Sequence, residues 1–568
     1  MLQYIFSFNH AHRHFLDIEF HVDNHRSSNL VLQLPSWRPG RYELGDFAKN
    51  IQYFKVHDMQ GNPLVHKKIS KDTWWVSTLE VSKLVVSYNY YSNELNAGST
   101  YLDEKQLYVN PVNCCLYIPN RITEPCTVDI QVPEDYKIAC ALSKKSQFVT
   151  ENFDQLAESP WIASASLQYQ SYTVFGVQFY IWFQGDCLPD WNRILKDFKA
   201  FTKAQMKDFT SFPGKEYHFI NQIVPYKGYH GVEHTSSSII YLGPGAELMS
   251  NNLYASLLGV SSHELYHTWN IKQIRPQALL PYDYSKENYS RMGYLYEGVT
   301  TYMGDLYLMR SKVFSISEFY KTQEENLDRH FHNSGRFNMS VAESSFDTWL
   351  DGYQMGIPHR KVSIYKEGAL CAFMLDVVLL EYSQGELSLR DLMDRLYVNY
   401  ALKGKGVTEE DYFNELVSMG GGKAQGIISN YMYGTKDFTP GLKEAFSLLG
   451  LRMDIQENIN FFASKLGMKG TQIKDGLLIN QVLQNSISDK KKIAEGDLIL
   501  KINGEKLCDE VLQSAKLGSS VLISLKRRFE TIDIRLAIDK QSYFQRRKIY
   551  EVEQKSKSQA LLYDKWIS

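Results

Sequence analysis

Two histidines and a glutamate in the segment SSHELYHTWN have a spacing that suits one metal ion. His263 and His267 are four residues apart, and Glu264 directly follows the first histidine. On a helix, residues four apart lie on one face, so both imidazoles can hold one Zn²⁺ while Glu264 points at the open side of the ion. The pattern predicts a catalytic zinc site with Glu264 as the general base. The alternative is a surface helix that carries two histidines by chance.

A catalytic zinc ion needs a third protein ligand and a position left open for water. The segment YLYEGVTTYMGDL offers Glu297, thirty residues after His267, on a second predicted helix with apolar residues along one side. The three residues would form a site with two histidines and one glutamate, as in thermolysin. From the residues alone, another carboxylate could equally be the third ligand.

The elements that must position these residues change character along the chain. Residues 1–185 consist of short segments with alternating apolar residues, which predict antiparallel strands and a β-sandwich-like domain. Helical periodicity dominates residues 186–450, and short strands with Gly-centred turns return in residues 451–538. Residues 539–568 form a charged tail, predicted to be solvated or to be a lone helix packed on a neighbour. We therefore expect a multidomain α+β protein whose middle domain is mainly helical and thermolysin-like.

Charge and composition exclude several classes of protein. The 568 residues are 44% hydrophobic and carry 62 Lys and Arg against 64 Asp and Glu, so disorder and nucleic-acid binding are both disfavoured. The most apolar window, ALCAFMLDVVLL, contains Asp376 and is too short to cross a bilayer.

Seven cysteines without a C-x-x-C pair predict reduced thiols, and the N-terminus lacks the features of a signal peptide. We therefore expect a cytoplasmic protein with no membrane partner. A periplasmic location stays open if a leader has been trimmed.

Several ordered motifs carry a resemblance to a known family. HELYHTWNIKQIRP followed by YLYEGVTTY resembles the signature of the glycyl aminopeptidase family of zinc metallopeptidases, a gluzincin group that commonly carries a C-terminal PDZ domain. LPSWRPGRYELGDFAKNI and FDQLAESP resemble stretches of its N-terminal β-domain, GYHGVEHTSSS its glycine-rich segment, and VSIYKEGALCAFMLD its Tyr-x-Lys-Gly segment. The resemblance covers the chain from residue 1 to about residue 538.

The resemblance implies a role for each matching residue. His263, His267 and Glu297 would bind one zinc ion per chain, and Glu264 would move the proton from water to the leaving amine. Glu233 would grip the free α-ammonium of the substrate, because a carboxylate there pairs with an N-terminal amine and offers nothing to an internal peptide bond. Gly231 and His234, beside it, are expected in the substrate-binding set. An ordinary strand-end carboxylate is the alternative for Glu233.

Tyr365 matches the tyrosine that would donate a hydrogen bond to the oxyanion of the tetrahedral intermediate, although a core tyrosine is the alternative. The sequence departs from the family here, since it has Lys366 and then Glu367 before Gly368, where the family would have lysine directly before glycine. Asn270 and Arg275 match family positions near the zinc helix, and we expect them to support the site.

The C-terminal module resembles a PDZ domain, with Leu466 to Met468 as a candidate carboxylate-binding loop and AEGDLILKINGEKL as a turn and strand of that fold. Such a domain binds an extended peptide or a protein C-terminus. The leading expectation is a zinc aminopeptidase that prefers Gly or Ala at the N-terminus of peptides. The alternatives are an endopeptidase or dipeptidase on the same site, or a catalytically silent PDZ-bearing protein.

Overall fold

A computed structural model of the protein describes residues 2–23, 27–143, 147–352, 357–507, 520–538 and 540–568. The other residues of the predicted domains, including 508–519 of the PDZ-like module and 539 of the tail, lie outside the described residues. The architecture confirms the predicted fold class: a β-rich N-terminal region, a mainly helical middle region and a smaller C-terminal β module. Among the described helices, none is both long and apolar enough to cross a membrane.

Three sheets build the N-terminal region, because its alternating segments bury one face of each strand. The largest has the order Phe148–Thr150, Cys126–Ile130, Leu2–Ser7, Phe15–Asp23, Lys83–Tyr91 and Ile51–Asp58. A second sheet has the order Lys137–Cys140, Trp161–Ser164, Gln106–Val109 and Tyr101–Leu102, and a third Asn29–Gln33, Thr73–Ser77 and His66–Lys68. Short helices span Pro111–Cys114 and Phe153–Ala157.

The middle region begins with a five-stranded sheet that crosses the predicted boundary at residue 185. Its order is Gln168–Val174, Val177–Gln184, Glu216–Ile223, Ser237–Gly243 and Gly228–Glu233, which leaves Gly228–Glu233 at an edge. The helices that pack on this sheet and on one another are Trp191–Lys207, Asn251–Tyr266, Thr300–Arg310, Ile316–Phe331, Val341–Phe346, Thr348–Asp351, Lys366–Tyr382, Leu389–Asn399, Glu409–Ile427 and Thr439–Leu448. π-Helical segments span Tyr294–Val299 and Ile428–Met432.

The C-terminal module is inserted between two strands that pair with each other. Leu451–Gln456 runs antiparallel to Arg546–Glu551, and the module's own sheet lies between them in sequence. That sheet has the order Met468–Ile473, Gly476–Val482, Leu498–Ile502, Ser520–Arg527 and Glu530–Ala537, with Glu505–Lys506 beside Leu498–Ile502. A π-helical turn, Phe462–Leu466, and a short helix, Ile487–Lys490, complete the described part of the module.

The last helix, Lys557–Ile567, packs onto the middle region through Trp566, which is 1% exposed. The indole N–H of Trp566 donates to the Tyr302 hydroxyl over 2.7 Å, and that hydroxyl donates to Asp376 over 2.6 Å. Tyr302 follows the segment that carries Glu297 by one turn, and Asp376 lies on the helix that begins directly after Tyr365. The C-terminal helix therefore ties together two elements that carry candidate site residues.

We expect Trp566→Ala to lower the free energy of unfolding by about 3–5 kcal/mol, because it empties a buried site and removes the donor to Tyr302. Urea denaturation followed by circular dichroism measures the loss. Leu561→Ala on the same helix is the matched control, since Leu561 is 46% exposed and should change stability by less than about 0.5 kcal/mol. Equal effects of the two substitutions would contradict the described packing.

Candidate active site

The two histidines of the motif lie at the end of one buried helix. The helix is Asn251–Tyr266. Ser250 is its N-terminal cap, where the hydroxyl accepts from the Leu253 amide, and His267 is its C-terminal cap. The Nε2 atoms of His263 and His267 are 3.0 Å apart. Helix geometry alone places them together, because the two side chains are four residues apart on one face.

Glu297 supplies a third donor at the same point. Its Oε2 lies 3.6 Å from Nε2 of His263 and 3.4 Å from Nε2 of His267. This oxygen is buried and has no hydrogen-bond partner among the described residues. A buried, unsatisfied carboxylate oxygen facing two imidazoles is the donor set that zinc prefers. The residues present therefore fit a zinc ion.

Asn270 fixes the orientation of the second histidine. The Asn270 carbonyl can only accept, so the 2.9 Å contact to Nδ1 of His267 places the proton on Nδ1 and leaves a lone pair on Nε2. The Asn270 side chain donates in turn to the Leu295 carbonyl, over 2.8 Å, and to the Thr300 hydroxyl, over 3.0 Å. These contacts are consistent with the expected role of Asn270, which is to support the zinc site by orienting His267.

The electrostatics of the site favour a cation. Burial opposes a charged imidazole, but the carboxylates of Glu233 and Glu297 outweigh it and raise the pKa of His267 to about 9. Burial likewise opposes a charged carboxylate, yet the two neighbouring imidazoles hold the pKa of Glu297 at about 2. A proton on His267 takes the place that a metal ion would fill, so metal binding weakens as the pH falls.

Glu264 projects from the same helix towards the glycine-rich strand. A Cβ atom at Gly231 would overlap Oε1 of Glu264, so only glycine lets the strand approach this carboxylate. Oε2 of Glu264 has no hydrogen-bond partner in the described part of the chain. Burial, with the charge of Glu233, raises the pKa of Glu264 well above its ordinary value.

One close contact between two glycines assembles the rest of the site. A Cβ atom at Gly298 would lie 2.5 Å from the Gly368 Cα, so the segment with Glu297 and the helix after Tyr365 touch backbone to backbone. This crossing places the Tyr365 ring 6.4 Å from the His263 ring, measured between centroids. The sequence analysis named Gly368 only as part of a motif and passed over Gly298.

The departure at Glu367 has a structural explanation. Glu367 is buried, and its carboxylate lies 3.3 Å from Nδ1 of His330 and accepts from the Ser363 amide over 2.9 Å. It therefore belongs to the packing behind Tyr365. Lys366 lies on the other side, where burial lowers its pKa and the Asp305 carboxylate opposes that shift.

Glu233 ends the edge strand Gly228–Glu233 and faces a buried lysine. Nζ of Lys272 lies 3.7 Å from Oε1 of Glu233 and 2.9 Å from Oε2 of Glu158. Oε2 of Glu158 also lies 3.7 Å from Nδ1 of His234. Oε1 of Glu233 and both ring nitrogens of His234 are buried without a hydrogen-bond partner among the described residues.

The sequence analysis missed Glu158 and Lys272. Burial disfavours the charged form of Lys272. The carboxylates of Glu158 and Glu233 outweigh this effect and raise the pKa of Lys272, so its ammonium stays charged. Burial also lowers the pKa of His234 well below its ordinary value, which keeps that ring neutral. The sequence contains no local signal for this pair, because Lys272 lies in the mostly polar segment NIKQIRP and Glu158 lies far from it along the chain. Arg275, which was expected to support the site, stacks 4.0 Å from the Tyr282 ring centroid.

The N-terminal region closes this subsite. Trp37 donates to the Asp283 carbonyl over 2.8 Å and seats the WRPG turn against the middle region. Gly40 follows with φ +79°, and a Cβ atom on it would lie 2.5 Å from Oε2 of Glu233. A side chain at this position would displace the Glu233 carboxylate.

The chain was compared with known families once these contacts were established. The sequence profile of the Peptidase M61 N-terminal domain matches residues 3–165, that of M61 glycyl aminopeptidase matches residues 256–371, and that of the PDZ domain matches residues 456–510. The chain contains the N-terminal and catalytic domains of the M61 glycyl aminopeptidase family, together with a PDZ domain. This M61 peptidase is a metallopeptidase, and the resemblance found in its motifs is confirmed.

One solved structure shares the fold of the whole chain. An aminopeptidase N family protein from Idiomarina loihiensis is 25% identical, with 100% of both chains covered and a TM-score of 0.92. An M1 zinc metallopeptidase from Deinococcus radiodurans is 13% identical over 77% of this chain and 94% of that chain, with a TM-score of 0.47. A comparison with curated protein sequences found no match.

We expect Gly40→Ala to lower kcat/KM for an Ala-arylamide by about tenfold or more, because the new methyl group displaces Glu233. Gly61→Ala is the matched control, since Gly61 also has positive φ, at +85°, but open space around it. It should cost about 1 kcal/mol of stability and change kcat/KM by less than about twofold. Equal kinetic losses in both variants would argue against a place for Gly40 beside the substrate.

Proposed function

We propose that the protein is a zinc-dependent aminopeptidase that removes small N-terminal residues, Gly or Ala, from peptides. The observation that carries the proposal is a cluster of buried polar atoms without hydrogen-bond partners in the described chain: Glu297 Oε2, Glu264 Oε2, Glu233 Oε1 and both nitrogens of His234. Buried groups are left unsatisfied at a cost to stability, so a cluster of them indicates a site completed by ligands. The end at Glu297 suits a metal ion, and the end at Glu233 suits the ammonium group of a peptide N-terminus.

His263, His267 and Glu297 would hold a single zinc ion. When bound, zinc lowers the pKa of water and polarises the scissile carbonyl. Oε2 of Glu264 would accept a proton from the attacking water and deliver it to the leaving nitrogen. The Tyr365 hydroxyl would donate a hydrogen bond to the carbonyl oxygen as that oxygen gains charge. The Tyr365 ring beside His263 supports this assignment.

Recognition of the amine would rest on charge in the first subsite, with Glu233, His234 and Gly231 in contact with the substrate. Nζ of Lys272 lies 2.9 Å from Glu158 and farther, 3.7 Å, from Glu233. Glu233 would therefore be available to pair with the α-ammonium of a peptide. The ion pair between Glu158 and Lys272 would thus leave the Glu233 carboxylate free to bind one cation.

A narrow first subsite supports the preference for small residues. The Tyr42 and Tyr296 rings, both buried, lie 5.2 Å apart between centroids. Tyr42 is close enough to Glu233 and Glu297 for both carboxylates to raise the pKa of its hydroxyl, after the larger effect of burial. Two rings beside the amine end leave little room for a long side chain.

We also propose a cytoplasmic location and a peptide-binding role for the PDZ-like module. The six cysteines within the described residues are unpaired, as expected for reduced thiols. In the module, Met468–Ile473 is an edge strand that follows Gly467, whose φ of +71° turns the chain after Leu466. An edge strand of this kind can accept an extended peptide or a protein C-terminus.

We expect purified protein to contain about one zinc ion per chain, and Glu264→Gln to keep that metal while losing most of its activity. The amide has the same shape as the carboxylate but cannot accept the proton. Metal analysis and Ala-arylamide hydrolysis measure the two properties, and His263→Ala is the control that should lose both. A Glu264→Gln variant with near wild-type turnover would exclude Glu264 as the base.

We expect acetyl-Ala-arylamide to be nearly inert while Ala-arylamide is cleaved, because acetylation removes the charge and leaves Glu233 buried without a partner. Glu233→Ala should narrow that gap by weakening the free-amine substrate. Rates for both substrates at matched concentrations measure the ratio. Equal cleavage by the wild type would favour an endopeptidase on the same metal site, and cleavage of neither by zinc-loaded protein would favour a silent peptide-binding protein.

A further inference from the structure

The edge strand Gly228–Glu233 gives a bound peptide a direction. Among the described strands it pairs only with Ser237–Gly243, so an extended chain could pair with its other edge. A peptide whose ammonium lies at Glu233 must run antiparallel to the strand, past Gly231 and towards Tyr229. At about 3.3 Å per residue, Tyr229 lies opposite the third to fifth residue of that peptide.

Charged side chains gather where this path ends. The exposed Tyr229 interacts electrostatically with Asp305 and with the guanidinium of Arg329. Arg329 also interacts with Lys366, which directly follows Tyr365. Arg329, near the end of helix Ile316–Phe331, is therefore close both to the end of the edge strand and to the helix that begins after Tyr365.

Arg329 also lines a cavity of about 420 Å³ between that helix and the PDZ-like module. We call it the interdomain cavity. The module contributes Lys469 and Gln481 from neighbouring strands, and Arg546 comes from the strand that returns to the middle region. Glu325 and Asp328 are the acidic groups in its lining.

Two of the three cations in the interdomain cavity lack an acidic partner. Arg546 lies 3.3 Å from Asp328. Lys469 instead donates to Nδ1 of His332 over 2.8 Å, and His332 uses its other nitrogen to donate to the Gln545 carbonyl over 2.8 Å, so the ring is neutral. Within the described residues, no carboxylate forms an ion pair with Lys469 or Arg329.

The surroundings of Lys469 disfavour its positive charge, which a bound anion would stabilise. Its ammonium stacks 4.4 Å from the Phe544 ring centroid, and burial lowers its pKa to about 8 despite the charge of Asp328. A carboxylate beside it would restore the missing counter-charge.

We propose that the interdomain cavity binds the C-terminal carboxylate of a short peptide substrate, through Arg329 and Lys469, while Glu233 holds the N-terminus. The inference rests on the proposed aminopeptidase function and names its substrate class: oligopeptides of about four to six residues, because Tyr229, which interacts electrostatically with Arg329, lies opposite the third to fifth residue of a bound peptide. The PDZ-like module would then complete the substrate site by supplying Lys469.

The test compares alanine peptides of two to eight residues as free acids and as C-terminal amides. We expect kcat/KM of the wild type to favour the acid by about tenfold at four to six residues, mainly through KM, because the amide lacks the charge. Dipeptides, which end before the cavity, should show no such ratio. Equal rates for acid and amide at every length would overturn the inference and leave the aminopeptidase assignment intact.

Variants separate the two domains' contributions. Lys469→Met and Arg329→Gln should each bring the acid-to-amide ratio at five residues close to one, and Lys469→Arg should restore it. Lys501→Met is the matched control, since Lys501 is an exposed lysine of the same module outside the cavity. Because each ratio is measured on one preparation, partial misfolding cancels. A wild-type ratio in both Lys469→Met and Arg329→Gln would overturn the inference, whereas no cleavage of any free-amine peptide by the wild type would refute the proposed function itself.

Discussion

The backbone contact between Gly298 and Gly368 is the constraint on which the site depends. A methyl group on either residue would lie within 2.7 Å of the other Cα, so any side chain there forces the two elements apart. Separation would move Glu297 away from the two histidines and Tyr365 away from His263. The π-helical form of Tyr294–Val299 serves the same end, because a widened turn is a common way to direct a side chain into a functional site.

A second constraint is the burial of more charge than the protein can neutralise. Lys272 pairs closely with Glu158 and lies farther from Glu233, and Oε1 of Glu233 and Oε2 of Glu297 have no hydrogen-bond partner among the described residues. Natural proteins leave such groups unsatisfied mainly where function requires them. The same logic extends to the interdomain cavity, where Lys469 lacks a carboxylate. If both proposals hold, the protein offers a negative end, a metal-binding centre and a positive end to one bound peptide.

The path of the chain links the C-terminal module to this centre. The module is connected to the middle region by two paired strands. The second of them, Arg546–Glu551, contacts helix Ile316–Phe331, where Glu324 accepts from the Ile549 amide over 3.0 Å. The chain then ends in the helix that places Trp566 against Tyr302. Residues on both sides of the module therefore contact elements of the middle region. The tail, for which the sequence predicted either a solvated segment or a lone helix packed on a neighbour, forms the strand Arg546–Glu551 and a packed helix.

The sequence alone determined the parts of the site that local geometry controls. His263 and His267 meet because helical spacing brings them together, and the alternating and helical segments predicted the fold class. Tertiary structure decided the rest. Glu158 lies 114 residues before Lys272, and strands Gln168–Val174 and Val177–Gln184 join a sheet beyond the predicted boundary. Neither the contact between Glu158 and Lys272 nor the sheet that these strands join leaves a periodic signal in the sequence. Both depend on packing between distant segments, which no local window of sequence contains.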